Sequence, residues 1–447
     1  MRIERSLLAR NRPFRLCWLA GLATEVAAGV RRVAVPWLVY DLTGSSLQLG
    51  VSLALFTAPD ALLAPVIGWA VDSRSRRRLL LAAAAGQALA FGGLAATHAR
   101  GALAVPVLYA TLALLSVLQG TYYQARHALV PRFVDDDALD AANATVHGTT
   151  AAVSLAFVAV GGAVTGLAGP AAALAVAVAA AIASLPAIAA LPRTPPARDD
   201  PSTADGSGSH GTGPSAPLRA GVRRLRTGVA SIARTVREGA GYLLAPGPVR
   251  TVVLVGVGIN LAIVPATLLF ADLGRFAFGS AIAYTVLLVA YRAGSLAGNA
   301  AVPRLDWPRE RSYAIGVATV GLALLVLAGG GAAIVGVSTG PAALAALAVL
   351  VALVGAGNPL YDVPSDSLVQ AAPPDEVRGT VVTLANAALQ FPFPAAYVLA
   401  GALVERTSPF VGFALGGGLL TALGALAMVR FDVVDPPTGA VDADVEG

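Results

Sequence analysis

Apolar residues run for about twenty positions at a time along most of this chain, and the interruptions are short and polar. About twenty helical residues span the hydrocarbon core of a bilayer. In lipid every backbone N–H and C=O must be paired within the segment, so such runs have to be helices. Twelve runs are visible. The first six lie at approximately 14–41, 47–71, 78–98, 103–127, 142–168 and 171–191. The second six lie at approximately 249–272, 279–303, 311–333, 342–366, 380–404 and 409–430. The pattern predicts an all-α integral membrane protein with twelve transmembrane helices.

Composition removes the soluble alternative. Of 447 residues 56% are hydrophobic and 13% charged, about half the charged fraction of an ordinary soluble domain. Every basic residue is an arginine, and the arginines are not spread evenly. Loops on one side carry only Arg100, Arg275 and Arg406. The other side carries the N-terminal set from Arg2 to Arg15, then Arg74, Arg76, Arg77, Arg78, Arg132, Arg304, Arg309, Arg311, Arg378 and Arg430. Positive charge stays in the cytoplasm, so both termini are expected inside a multi-pass plasma-membrane protein. No cleavable leader is evident.

Catalytic chemistry finds no foothold. Cys17 is the lone cysteine, and His98, His127, His147 and His210 are scattered, so neither a disulfide framework nor a metal site is predicted. Phosphate-cradling and nucleophile-elbow motifs are missing. An enzyme, a cofactor and a metal are therefore not expected.

Between the sixth and seventh runs the composition changes. Residues 192–217 are rich in Pro, Gly, Ser and Asp and read as flexible linker. Leu218, Val222, Leu225, Val229, Ile232 and Val236 then recur at helical spacing among arginines, which predicts a basic amphipathic helix over about 218–243 lying on the bilayer surface. Its charge would suit nucleic acid, but its apolar face points to lipid. The domains expected are a bundle at 1–191, a cytoplasmic linker at 192–248, a second bundle at 249–431 and an acidic tail at 432–447.

The two bundles resemble each other. ARHALVPRFVDDDALDAANA, from 125, and PSDSLVQAAPPDEVRGTVVT, from 364, share Leu129-Val130 with Leu368-Val369 and Asp136-Asp137 with Asp375-Glu376 at an offset of 239. Gly162 and Gly401 match at the same offset. Two six-helix halves repeated in parallel are expected around a central cavity, with a small-molecule site between them.

GWAVDSRSRRRLL, at 68–80, resembles the signature of the major facilitator superfamily between helices 2 and 3, G-x-x-x-D-R-x-G-R-R. Gly68, Asp72, Arg76 and Arg77 match, while Ser73 and Ser75 depart from it. Three passages resemble the branch holding macrolide-efflux and enterobactin-export proteins: FRLCWLAGLATEVAAGVRRVAVPWLVYDLTGSS, ARHALVPRFVDDDALDAANA and REGAGYLLAPGPVR. The family's antiporters often carry G-P-x-x-G-G in helix 5. Here GGAVTG has Gly162 for the proline and Thr165 for a glycine, which weakens antiport. The resemblance implies a conformational latch of Gly68, Asp72, Arg76, Arg77 and Arg126 that holds the halves together when the cytoplasmic side is closed. Asp72 sits at a helix C-terminus, where the dipole disfavours an anion, and so needs a cationic partner.

Ionisable residues inside spans are costly unless they face a cavity or a partner. Glu25 and Arg32, seven apart in helix 1, form either a structural pair or a cavity-lining titratable site. Asp60, flanked by Pro59 and Pro65, is a cavity candidate. Arg292 of helix 8 is grouped with Asp362 and Asp366 of helix 10 as a gate in the second half. Asn260, Gln119, Tyr123, Asn358, Gln390, Trp37 and Phe391 are weaker pocket candidates, since single polar residues more often tie helices together.

The function expected is secondary active export of amphipathic or hydrophobic small molecules by alternating access, with protons as the candidate coupling ion and the protein a monomer. Two readings stand beside it. An importer of a small polar nutrient would want a more polar lining than these Ala-, Val-, Leu- and Gly-rich helices. A non-transporting receptor or scaffold would not need the Asp72/Arg76/Arg77 cluster.

Overall fold

A computed structural model describes residues 8–134, 136–192, 237, 240–305 and 307–434. The fold is all-helical, with twelve membrane-crossing helices in two halves. Helix α1 is Arg12–Thr43, α2 Ser46–Ser73, α3 Arg76–Ala99 and α4 Val105–His127. Asp136–Ala189 is one hydrogen-bonded run, but Gly169 (φ 83°, ψ 168°) breaks it into α5 (136–168) and α6 (170–189). In the second half, α7 comprises Pro248–Ile263 and Ala266–Phe276, and α8 is Ala281–Ala301. Helix α9 is Arg309–Val337, α10 comprises Pro341–Gly357 and Pro359–Ala371, α11 Asp375–Gln390 and Phe393–Val404, and α12 is Pro409–Val434.

Length and composition alone mark ten helices as able to cross a membrane, among the described residues. Ala141–Ala189 counts once although it crosses twice, and α1 is not among the ten because Glu25, Arg31 and Arg32 dilute its apolar run. The linker helix expected at 218–243 and most of the 432–447 tail lie outside the described residues.

Local chemistry explains the turns. Asn11 caps α1 by accepting from the Phe14 amide at 3.0 Å, and Ser45 caps α2 by accepting from Gln48 at 3.2 Å. Gly44 (φ 63°) ends α1 and Gly279 (φ 61°) follows α7, both in the left-handed region that glycine takes without strain. Ser280 then caps α8 by accepting from Ile282 at 3.2 Å. The same Gly-Ser turn thus joins the first two helices of each half. Outward faces are apolar: Leu62, Leu89, Leu167 and Val337 are each more than 70% exposed, as lipid contact requires.

The repeat has structural content. Leu129, Val130, Leu368 and Val369 are all buried. Gly162 of α5 lies against Thr285 of α8, and Gly401 of α11 lies against the Ser46 backbone of α2. Each glycine lets its helix approach the other half closely, so the 239-residue offset picks out the same seam twice.

Among the described residues the halves share a buried core at one end only. One buried core runs through Val30–Tyr40 of α1, Leu268–Leu273 of α7 and Tyr284–Leu288 of α8, joining both halves toward the arginine-poor loops. A second core, built from Phe14, Cys17, Ile67, Val71, Leu80, Ala125 and Ile188, belongs to the first half alone, toward the arginine-rich loops.

Candidate functional site

Three groups of polar residues occupy the line between the halves. The first is the 68–77 turn. Helix α2 ends at Ser73, Arg74 is extended (φ −125°), and α3 begins at Arg76. Asp72 is exposed, and no hydrogen bond or ion pair reaches it among the described residues. Arg76 is buried, and the Arg77 guanidinium donates to the Ala189 carbonyl at the end of α6. Gly68 faces Gln124 of α4. Arg126 is buried beside Phe14, Cys17 and Trp18, and a Cβ at Gly21 would strike its guanidinium. All these contacts lie within the first half. The five residues occupy the end where the halves are apart.

The second group closes the opposite end. Asp272, at the C-terminal part of α7, has no exposed surface. Its Oδ1 accepts from the Tyr40 hydroxyl of α1 and from the Ser46 hydroxyl of α2, while Oδ2 is buried with no partner among the described residues. Around it, Tyr40 packs edge-on to Phe276 at 6.0 Å, and Arg275 lies 5.8 Å from the Trp37 ring. The Leu47 amide donates to Glu405 at 3.1 Å. Trp37, expected as a pocket residue, is instead part of this closure.

The third group sits just inside it. Arg31 is 8% exposed, with its guanidinium 3.8 Å from the centre of the Phe56 ring and its Nε unpartnered among the described residues. Arg32 donates to Ser154 Oγ of α5, and its own carbonyl accepts from the Tyr284 hydroxyl of α8 at 3.0 Å. Arg292 is exposed and within Coulombic range of Arg32, as is half-buried Glu25. Tyr397 of α11 is within range of Arg31 and Arg292. The cluster therefore draws on both halves.

Several expectations change. Glu25 and Arg32 are near one another but form no ion pair among the described residues, because Arg32 turns to Ser154. Arg292 does not join Asp362 and Asp366. It faces the first half, while the two exposed aspartates lie beyond the break in α10 at Asn358. Asn260 is a tie between helices rather than a pocket residue, donating to the Leu389 carbonyl at 2.9 Å. Asn358 likewise donates to the Tyr291 hydroxyl. Asp60 packs against Gly120 with Oδ1 buried and unpartnered among the described residues, while its backbone N–H donates to Ser116 at 3.1 Å.

The Major Facilitator Superfamily model matches residues 17–393. The chain belongs to that family. Among curated proteins none matches the sequence. Solved structures share the fold at low identity. The nucleoside transporter NupG is 11% identical over 94% of this chain and 98% of that chain (TM-score 0.67). A bacterial homologue of the iron transporter ferroportin, in an inward-facing state, is 15% identical over 95% of this chain and 99% of that one (TM-score 0.67). The POT family transporter PepTSo is 12% identical over 95% and 98% (TM-score 0.66). The family points to a transporter rather than an enzyme.

Sequence reasoning missed Asp272, Tyr40, Tyr284 and Tyr397. The signal for Asp272 was an aspartate inside LLFADLGRF, but it falls on the last residue of the expected span 249–272 and so reads as a boundary.

Proposed function

We propose that this protein exports amphipathic small molecules across the plasma membrane by alternating access, with both termini in the cytoplasm. The observation that carries this is the asymmetry of the seam. Among the described residues the halves share a core at the arginine-poor end, have none in common at the arginine-rich end, and place a polar cluster from both halves immediately inside the closure. Arginine distribution makes the open end cytoplasmic, so the state described is one that loads cargo from the cytoplasm. Gly68, Asp72, Arg76, Arg77 and Arg126 would assemble as the latch when the molecule switches. Asp272 with Tyr40 and Ser46 is its counterpart on the outer side. Similarity of three passages to macrolide-efflux and enterobactin-export proteins, and apolar helix surfaces around the polar cluster, favour export. Glu25 and Asp60 are the candidates for proton coupling within the first half.

The test is accumulation of a panel of labelled small molecules in a host stripped of its own exporters. Export lowers accumulation of at least one compound when the protein is present. Raised accumulation would mean import, and no change for any compound would favour a receptor or scaffold.

A further inference from the structure

The charges of the central cluster do not balance. Arg32 lies within Coulombic range of both Arg31 and Arg292. Glu25 is the carboxylate in range of Arg31 and Arg32, and none of the three arginines is ion-paired among the described residues. The other intramembrane acids lie elsewhere: Asp272 is bound by Tyr40 and Ser46, Asp60 packs against Gly120, and Asp362 stands beside Asp366 and Tyr361. Three cations without a bonded counter-charge thus stand at a depth where an uncompensated charge costs several kcal/mol.

The protein offsets part of this. Arg31 lies over Phe56, an arrangement that stabilises a desolvated cation. Arg32 has the Ser154 hydroxyl, but a hydroxyl brings no charge. Arg292 is exposed, and no hydrogen-bond or ion-pair partner binds it among the described residues. A guanidinium presents donors in a planar fork that matches a carboxylate, sulfonate or phosphate in bidentate fashion. Partly exposed aromatic rings lie alongside, in Tyr397 and Phe56.

We infer that the cargo is an amphipathic organic anion, bound by the guanidinium groups of Arg32 and Arg292 with its apolar body against the neighbouring aromatic side chains. This rests on the transport reading above and narrows its substrate class. Because the two arginines stand on α1 and α8, one anion bridges both halves. A charge shared in this way lets cargo influence their relative position.

Three probes with one aromatic body separate the possibilities: naphthalenesulfonate, neutral naphthol and a naphthyltrimethylammonium cation. Each is tested on the purified full chain by thermal stabilisation and in proteoliposomes by counterflow. Naphthalenesulfonate should stabilise the protein and exchange, and higher ionic strength should weaken its binding. Arg292→Gln and Arg32→Gln should each raise its apparent Kd at least tenfold. Arg292 is exposed, so its variant keeps the test valid if Arg32→Gln does not fold. Equal or tighter binding of the cation or of naphthol overturns the inference, as does sulfonate binding unchanged in Arg292→Gln or no sulfonate binding at all. Counterflow of another probe in any of these cases would leave transport standing and remove only the anion. Counterflow of none would remove the transport reading as well.

Discussion

Tyr40 of α1 donates its hydroxyl to Asp272 of α7, and neither side chain has appreciable exposure. The bond crosses between halves that are 232 positions apart in sequence at these residues. A buried carboxylate without a cation depends on its hydroxyl donors. A hydrogen bond to a charged group contributes about 1.5–3 kcal/mol. Tyr40→Phe should therefore weaken the closed outer seam and move the population ratio by about tenfold or more toward outward-open. Spin labels on the arginine-poor ends of α1 and α7 report it. An unchanged distance distribution would show that packing alone holds the seam.

The two seam glycines predict an asymmetry within the repeat. A Cβ on Gly401 would meet the Ser46 carbonyl and Leu47 backbone, which cannot rotate away. A Cβ on Gly162 would meet the Thr285 side chain, whose Oγ1 and Cγ2 can rotate but whose Cβ cannot. Gly401→Ala and Gly162→Ala should both hinder closure of this end, but only the latter should be restored by trimming its neighbour, with Thr285→Gly. Reactivity of a cysteine placed at position 45 measures closure from outside. Unhindered closure in either substitution, or no rescue of Gly162→Ala by Thr285→Gly, would contradict this account.

The sequence made the helices legible because lipid leaves the chain few choices. Hydrophobic run length and turn chemistry, such as Gly44-Ser45, settle where each helix begins and ends. Even the seam was partly written in the Gly162/Gly401 offset. Partner choice was less legible. Periodicity places Arg292, Asp362 and Asp366 on faces of their own helices, but breaks at Asn358 and Phe391 redirect α10 and α11. Asn260 serves a carbonyl beside one of these breaks, which no motif announces. Asp272 was hidden for a different reason: at a span end, an aspartate that contacts water and one that closes a seam look alike.

Topology is open to a direct check. Cys17 is buried at 2% exposure, so native labelling background should be low. Ala102→Cys lies in the α3–α4 turn among the arginine-poor loops, and Ser75→Cys lies in the α2–α3 turn among the arginine-rich ones. An impermeant maleimide applied to intact cells should label position 102 and spare position 75 until the membrane is opened. The reverse pattern would invert the protein and make the closed end cytoplasmic.

Asp72 offers the sharpest contrast between states. In the state described here no hydrogen bond or ion pair reaches it among the described residues, so Asp72→Asn removes nothing from this conformation. If Arg76, Arg77 or Arg126 reaches it when the arginine-rich end closes, the substitution removes an interaction from that state alone. A partly screened cluster of this kind contributes on the order of 1–3 kcal/mol, within the range of typical coupling energies. That moves the balance by about one to two factors of ten toward the state seen here. Asp72→Asn is thus expected to reach the membrane, to keep the wild-type Tm within about 2 °C, and to transport poorly. Glu25→Gln should instead alter substrate range or pH dependence and leave the balance in place. Spin labels on the arginine-rich ends of α2 and α11 distinguish the two variants, since only Asp72→Asn should lose the short-distance population. Wild-type distances together with wild-type transport in Asp72→Asn would reduce the 68–77 turn to a topology signal.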